Sequence, residues 1–451
     1  MKNVKGTLVM WALLAGFAGA QTTVEDRLKA LEEKIESGSG EAPEPGSPAA
    51  MAAGKKIDVF FKEGIYMKSA DGNIDAHLGG RVIVHWRNFI YNNERNQVDT
   101  FAFRSVKFQL EGKIWKDFEF KVELNTTGTP VALDDGFVGM IHWKALQIRV
   151  GQFKAPFSLE ELTSTRFIDL PERSPMNRLV PAREVGIMVH GTLADKILGY
   201  GLMLSNGNGK NGPDENSDKD LTGRVWFRPA GTAESDYIKN LHFGVGFTAG
   251  RRDGKAATAP YTFSDPFTGT TFATLGTDAG SVKFDENRYR TNAELAWLFG
   301  PASIKAEYTR TNDQYTELDS DHHHHAHFTG YYVSATWLVT GEMKTWDRIR
   351  PNKPLFGSAG GIGAIELAFR YSEFQINRGL VDSGYFNKGT TAREVHEYAA
   401  GVNWFPNANV RMSVSYAYIN YSSDEHTEPL VIGGERKDHE DVLLVRFQVD
   451  F

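Results

Sequence analysis

Cysteine is absent from all 451 residues, which excludes disulfides, thiolate metal ligands and cysteine nucleophiles. Long apolar runs are absent too. After the first twenty residues no stretch of eighteen or more apolar residues occurs, so no transmembrane helix is available. No Gly-x-Ser-x-Gly, His-Glu-x-x-His or Walker pattern is present, and the hydrolase, metalloprotease and nucleotide-binding readings that rest on them fall away. An excess of positive charge is also missing. Fifty Lys and Arg stand against 57 Asp and Glu, a net charge of −7 that gives no support to nucleic-acid binding. What is abundant is glycine, 45 residues, and aromatic side chain, 12%, under a mean hydropathy of −0.38. That mixture suits many short strands whose two faces meet different surroundings.

The opening MKNVKGTLVMWALLAGFAGA has two lysines, an apolar core and a small-residue end, so residues 1–20 read as a secretory signal peptide cleaved after Ala20. Residues 21–37 read as a short coiled-coil helix, with Val24, Leu28, Leu31 and Ile35 forming an a/d seam. Two heptads are marginal alone, so another surface must hold any oligomer together. Residues 38–54 are a Gly/Pro/Ala/Ser linker, and 55–73 a periplasmic lead-in, with a strand expected within Ile57 to Lys68. From residue 74 the alternation predicts sixteen strands, near 74–90, 100–115, 118–126, 135–143, 146–154, 184–194, 199–205, 220–229, 240–252, 287–299, 302–312, 328–340, 362–376, 394–405, 409–421 and 440–451.

Connections alternate between tight turns such as Lys116-Asp117 and Gly300-Pro301 and long polar loops, the pattern of an all-β, sixteen-stranded antiparallel transmembrane barrel over residues 74–451. One connection on the short side, Gly341 to Gly361, is unexpectedly long and rich in Lys, Arg and Pro. The even count puts both barrel ends on the periplasmic side, with the barrel itself in a bacterial outer membrane among its lipids. A long connection dense in Arg, Pro and carboxylates runs from Ala155 to Arg183 between the fifth and sixth strands, and the expectation is a loop folded into the lumen as a constriction.

Alternation sorts charges by face. In the last strand Leu443, Val445, Phe447 and Val449 share one side, leaving Arg446, Gln448 and Asp450 on the other. Extended around the barrel, this places Arg81, Arg87, Lys107, Lys113, Lys121, Arg149, Arg224, Arg228, Arg290, Lys305, Arg370, Arg411 and Arg446 inside, about thirteen cations. They face about eight anions: Glu111, Glu119, Glu123, Glu294, Glu307, Glu366, Glu397 and Asp450. A basic lumen in a low-dielectric wall concentrates anions, and the guanidinium fork suits phosphate. The bland alternative for each cation is an ion pair that fills space. The loop adds Arg166, Arg173, Arg178 and Arg183 as candidates at the constriction, with Glu172 the suspected partner of Arg173.

The run Gly151-Gln152-Phe153-Lys154-Ala155-Pro156-Phe157-Ser158-Leu159-Glu160-Glu161-Leu162-Thr163-Ser164 resembles the phosphate-selective porins of the O and P type. Gly79-Gly80-Arg81, Phe103-Arg104, Leu110-Glu111-Gly112-Lys113, Gly330-Tyr331-Tyr332, Gly401-Val402-Asn403-Trp404 and Asn409-Val410-Arg411 add to the likeness, which covers about Ile57 to Phe451. The resemblance implies a sixteen-stranded barrel, a homotrimer and passive uptake of small anions such as phosphate or polyphosphate, with no cofactor and no catalytic residue. The terminal Phe451 resembles the signal read by the barrel-assembly machinery, and the N-terminal helix looks like the extension some members carry.

Three other readings stay in view. The first is a general small-solute channel without phosphate preference, and the second a structural barrel tethered to the cell wall through its N-terminal helix. The third is a barrel enzyme, for which His142 and His190 lack an assignable Ser partner. The tract Asp319 to His327 is expected in an external loop, where His322, His323, His324, His325 and His327 form a weak metal-site candidate.

Overall fold

Period-two alternation leaves one row of side chains apolar and the next polar, and closing the strands into a cylinder separates the two rows. The computed structural model describes residues 57–451 apart from 91–97, 213, 215–216, 252–260, 276–281, 284–286, 318–322, 357–359, 379, 381–390, 423–429 and 433–434. The signal peptide, helix and linker expected over residues 1–54 lie outside the described residues.

Sixteen antiparallel strands form the wall. They are β1 (Ile74–Ile90), β2 (Thr100–Ile114), β3 (Phe118–Asn125), β4 (Ala132–Trp143), β5 (Leu146–Lys154), β6 (Arg183–Leu193), β7 (Leu198–Ser205) and β8 (Asp220–Phe227). They continue as β9 (Asn240–Arg251), β10 (Asn287–Phe299), β11 (Ala302–Glu317), β12 (His323–Leu338), β13 (Ala364–Ile376), β14 (Glu394–Asn407), β15 (Val410–Ser422) and β16 (His439–Asp450). Each pairs with its successor, and β16 returns to β1 with Arg446 opposite His85, so the cylinder is closed. On β15 the side chains of Arg411 and Ser413 are 3% and 1% exposed while Val414 is 50% exposed, which confirms the face assignment there.

The structure differs from expectation at three places. Ile57 to Lys68 is not one strand: Ile57–Phe61 and Ile65–Ser69 form a hairpin, turned at Glu63 and Gly64, whose second strand pairs with β1. The histidine tract is not a loop, because β12 already begins at His323. Alternation sends His324 inward beside Tyr315 and puts His325 and His327 on the other face, opposite Gln314 and Asn312. Neighbours in sequence are thereby separated, and among the described residues no group of three His, Cys, Asp or Glu is placed to hold a metal; His322 lies outside them. The upper inner wall is also less polar than its strands suggest. Phe263, Phe267, Phe272 and Leu275 of a short hairpin (Tyr261–Ser264 with Thr271–Leu275) pack on Phe328, Phe374, Val395, Ile419 and Val442, together with Leu170 and Leu179.

The C-terminus is seated by two glycines. Gly80 N–H donates to the Phe451 carbonyl at 2.7 Å and Phe451 N–H donates to the Gly80 carbonyl at 3.0 Å. A Cβ at Gly79 would stand 2.5 Å from the Phe451 oxygen, and one at Gly80 would meet the Lys107 carbonyl at 2.8 Å.

Candidate functional site

The segment 155–182, between β5 and β6, is bonded to inward-facing side chains of β11 to β16. Glu307 accepts from the N–H groups of Leu159 (3.0 Å) and Glu160 (2.6 Å). Arg370 donates to the Glu172 carbonyl, Arg411 to those of Ile168 and Asp169, and Arg446 to those of Thr165 and Pro171. Asp169 lies between Lys305 (2.8 Å) and Lys344 (2.9 Å), the latter from the long connection 341–361. Burial pushes the Asp169 carboxyl up, but the two ammonium groups more than offset it and hold it well below the usual carboxylate range. That connection is further fixed by Arg348 on Asp450 and by Arg350, whose two donors each lie 2.7 Å from Glu63 of the N-terminal hairpin.

Along the opposite wall, cavities of about 550 and 620 Å³ share Lys121, Asp135, Lys154 and Leu162. Charge differs sharply between them. The first, toward the short turns, balances Lys113, Lys121, Arg149 and Lys154 against Asp75, Glu111, Glu119 and Asp135. The second is lined by ten basic side chains and three carboxylates. The cations are Arg81, Arg104, Lys107, Lys121, Lys154, Arg166, Arg173, Arg178, Arg183 and Lys210; the anions are Glu123, Asp135 and Glu161.

The residues singled out in the sequence therefore divide. Arg81, Lys107, Lys121 and all four loop arginines line the basic cavity, and Lys113 and Arg149 line the balanced one. Arg370, Arg411, Arg446 and Lys305 line neither and hold the 155–182 segment instead. Arg224 is buried on Glu294 and His242, Arg228 lies over the Trp346 ring, Arg290 lines neither cavity, and Arg87 reaches Glu172 (3.6 Å) and the Pro266 carbonyl (3.4 Å).

Within the loop, Arg173 is held by the Glu161 carboxylate (3.3 Å) and three backbone carbonyls, not by its neighbour Glu172. Glu172 takes Arg104 (2.8 Å), His85 (3.4 Å) and Arg87. Its burial pushes the carboxyl up, yet Arg104, His85 and Arg87 hold it well below the usual range. Arg183 pairs with Asp135 (2.7 Å) and Arg178 donates to the Ser264 carbonyl (2.8 Å). Arg166 has no ion pair among the described residues, and its Nε is buried without a hydrogen-bond partner.

Alternation missed three cavity charges and one carboxylate beside them. Arg104 and Asp134 are extra residues at irregularities in the β1–β2 and β3–β4 registers, where a bulge turns an outward position inward. Lys154 should face out if Arg149 faces in, but Gly151 adopts φ +130° and beyond it the alternation breaks. Lys210 comes from the connection between β7 and β8 and bonds Asp134 at 2.7 Å. Period-two reading carries no signal for any of the four; the Phe103-Arg104 and Gly151–Ser164 motifs marked two of them without assigning a face.

A closed cylinder of sixteen strands, apolar outside and charged within, is the architecture of an outer-membrane diffusion channel. Its fold is shared by solved barrels of that kind. OmpT of Vibrio cholerae, in a trimer form, is 12% identical with a TM-score of 0.52, covering 83% of this chain and 99% of that one. An anion-selective porin from Comamonas acidovorans is 10% identical with a TM-score of 0.50, covering 84% and 100%. The chain belongs to the family of phosphate-selective porins O and P, whose model matches residues 78–451. Porin O of Pseudomonas aeruginosa is 26% identical over 412 residues, 83% of this chain and 89% of that protein. The protein is thus a bacterial outer-membrane channel.

Proposed function

We propose that this channel prefers anions and accepts phosphate, and that the 155–182 segment is its constriction. The observation that carries the reading is the ten-to-three excess of basic side chains around the 620 Å³ cavity, in a chain that is acidic overall. Most of these cations share a carboxylate with a neighbour, so the surplus charge, with Arg166 the clearest case, is what would attract anions in a low-dielectric passage and replace part of their hydration. Lys154 and Lys121, which touch both cavities, stand where an anion would pass from the basic to the balanced region. No step of chemistry is needed for this role.

A homotrimer is supported by strand length. β3, β7 and β8 have eight residues and β5 nine, against sixteen in β11 and β12. Eight tilted residues rise only roughly 20 Å, short of the apolar band of an outer membrane. Their exposed outward side chains, among them Val122, Val150, Leu202 and Leu204, are then best covered by other copies. Residues 21–37 would add register as a coiled coil, with residues 38–54 a linker, residues 1–20 removed on export and Phe451 presented to the assembly machinery. Planar-bilayer recordings test the function. Reversal potentials in a chloride salt gradient should show anion preference, and added phosphate should block chloride current; cation preference would overturn the reading.

A further inference from the structure

The tall strands carry a charged surface that the lumen does not use. On their outward face, Tyr308 of β11 lies opposite Tyr331 of β12, and a ribbon of rings continues through Tyr371, Tyr398 and Tyr418 with centroids 4.9–6.3 Å apart. Such a girdle marks the depth at which the apolar band meets headgroups. Arg310 is the next outward residue beyond Tyr308, toward the long loops, flanked across the strands by Thr291 and Thr329. It is exposed and makes no ion pair among the described residues. Beyond it, on the same face, the His325 and His327 rings lie nearly parallel with centroids 6.2 Å apart. Glu373, a carboxylate on this face, is already engaged by the phenols of Tyr331 (2.8 Å) and Tyr371 (3.0 Å), so it is poorly placed to neutralise Arg310.

We infer that this outward patch, centred on Arg310 with His325 and His327 above it, docks the phosphorylated headgroup of a lipid in the outer leaflet. The guanidinium fork matches two phosphate oxygens, and among the described residues no carboxylate pairs with Arg310. The apolar wall immediately below, with Tyr308 46% and Val333 46% exposed, receives the acyl chains. A free anion would gain only the charge contact, whereas a lipid gains both. The commitment is therefore to lipid phosphate and not to the anion that passes through the pore.

The test uses the full-length oligomer in detergent micelles with bisphosphorylated lipid A, bound lipid being counted by native mass spectrometry. Wild type should retain lipid A, and the same lipid stripped of its phosphates should bind roughly tenfold more weakly, as expected for loss of one charge-assisted contact. The double variant Arg310→Gln, His325→Gln should lose lipid A to a similar extent, with Arg310→Lys intermediate and chloride conductance unchanged in both, which shows that the barrels are intact. Arg436→Gln, which removes an exposed charge elsewhere among the long loops, should bind as wild type does. Equal retention by wild type and the double variant, indifference to the lipid's phosphates, equal loss in Arg436→Gln, or displacement of lipid A by millimolar inorganic phosphate would each overturn the inference.

Discussion

Arg166 and Arg173 sit seven residues apart in one segment and line one cavity, yet their surroundings assign them different work. Arg173 is saturated by Glu161 and three carbonyls, so removing it leaves buried acceptors without donors. Arg166 keeps its charge for whatever passes. Arg166→Gln should therefore raise the phosphate concentration needed for half-block of chloride current by roughly tenfold while open conductance stays near wild type. Arg173→Gln should instead disturb conductance and make it noisy. Lys154→Gln should act like Arg173→Gln, because Lys154 is held by the same Glu161 carboxylate (3.6 Å) and by the Glu161 and Thr163 carbonyls. Unchanged block in Arg166→Gln would remove the basic cavity from the selectivity argument. The three wall residues Arg370, Arg411 and Arg446 should behave as anchors: each substitution should lower the thermal stability of the oligomer more than it alters phosphate block.

Among the elements, two loops carry carboxyls shifted in opposite directions. Glu172 is held below the ordinary carboxylate range, so its contribution to loop anchoring is present above the unfolded value and is lost only as pH falls through the depressed one. The 155–182 segment should stay pinned through mild acid. Asp265, in the hairpin that packs over the long-loop end, is raised to about 6 by burial, with the Glu440 carboxylate adding to the rise. Its contribution is complete below the ordinary carboxylate value and is lost as pH rises through about 6. Acidifying from pH 7.5 to 5 should then tighten this hairpin and lower single-channel conductance, reversibly. Asp265→Asn should flatten that pH profile; an unaltered profile would show that the hairpin is not the responding element.

At the scale of the whole molecule, the short strands β3, β5, β7 and β8 make the wall low on one side, the side the proposed trimer would bury. If the barrel walls carry most of the association, removing residues 21–54 should leave detergent-stable trimers, measured by light scattering. Recovery of monomers alone would move that role to the N-terminal helix.

The sequence by itself determined the strand number, the alternate long and short connections and the inner or outer face of most wall residues, because a lipid–water boundary imposes a period of two that is visible in every strand. It also marked 155–183 as the unusual connection. Only the tertiary structure decided which basic residues line open space. Arg370, Arg411 and Arg81 share the same inward parity, but the 155–182 segment lies against β11 to β16 and covers the first two, while Arg81 still lines a cavity. Arg104, Asp134 and Lys154 were illegible for a related reason: a bulge or a positive-φ glycine changes a side chain's face locally, and a periodic pattern cannot record the single residue at which its own period fails.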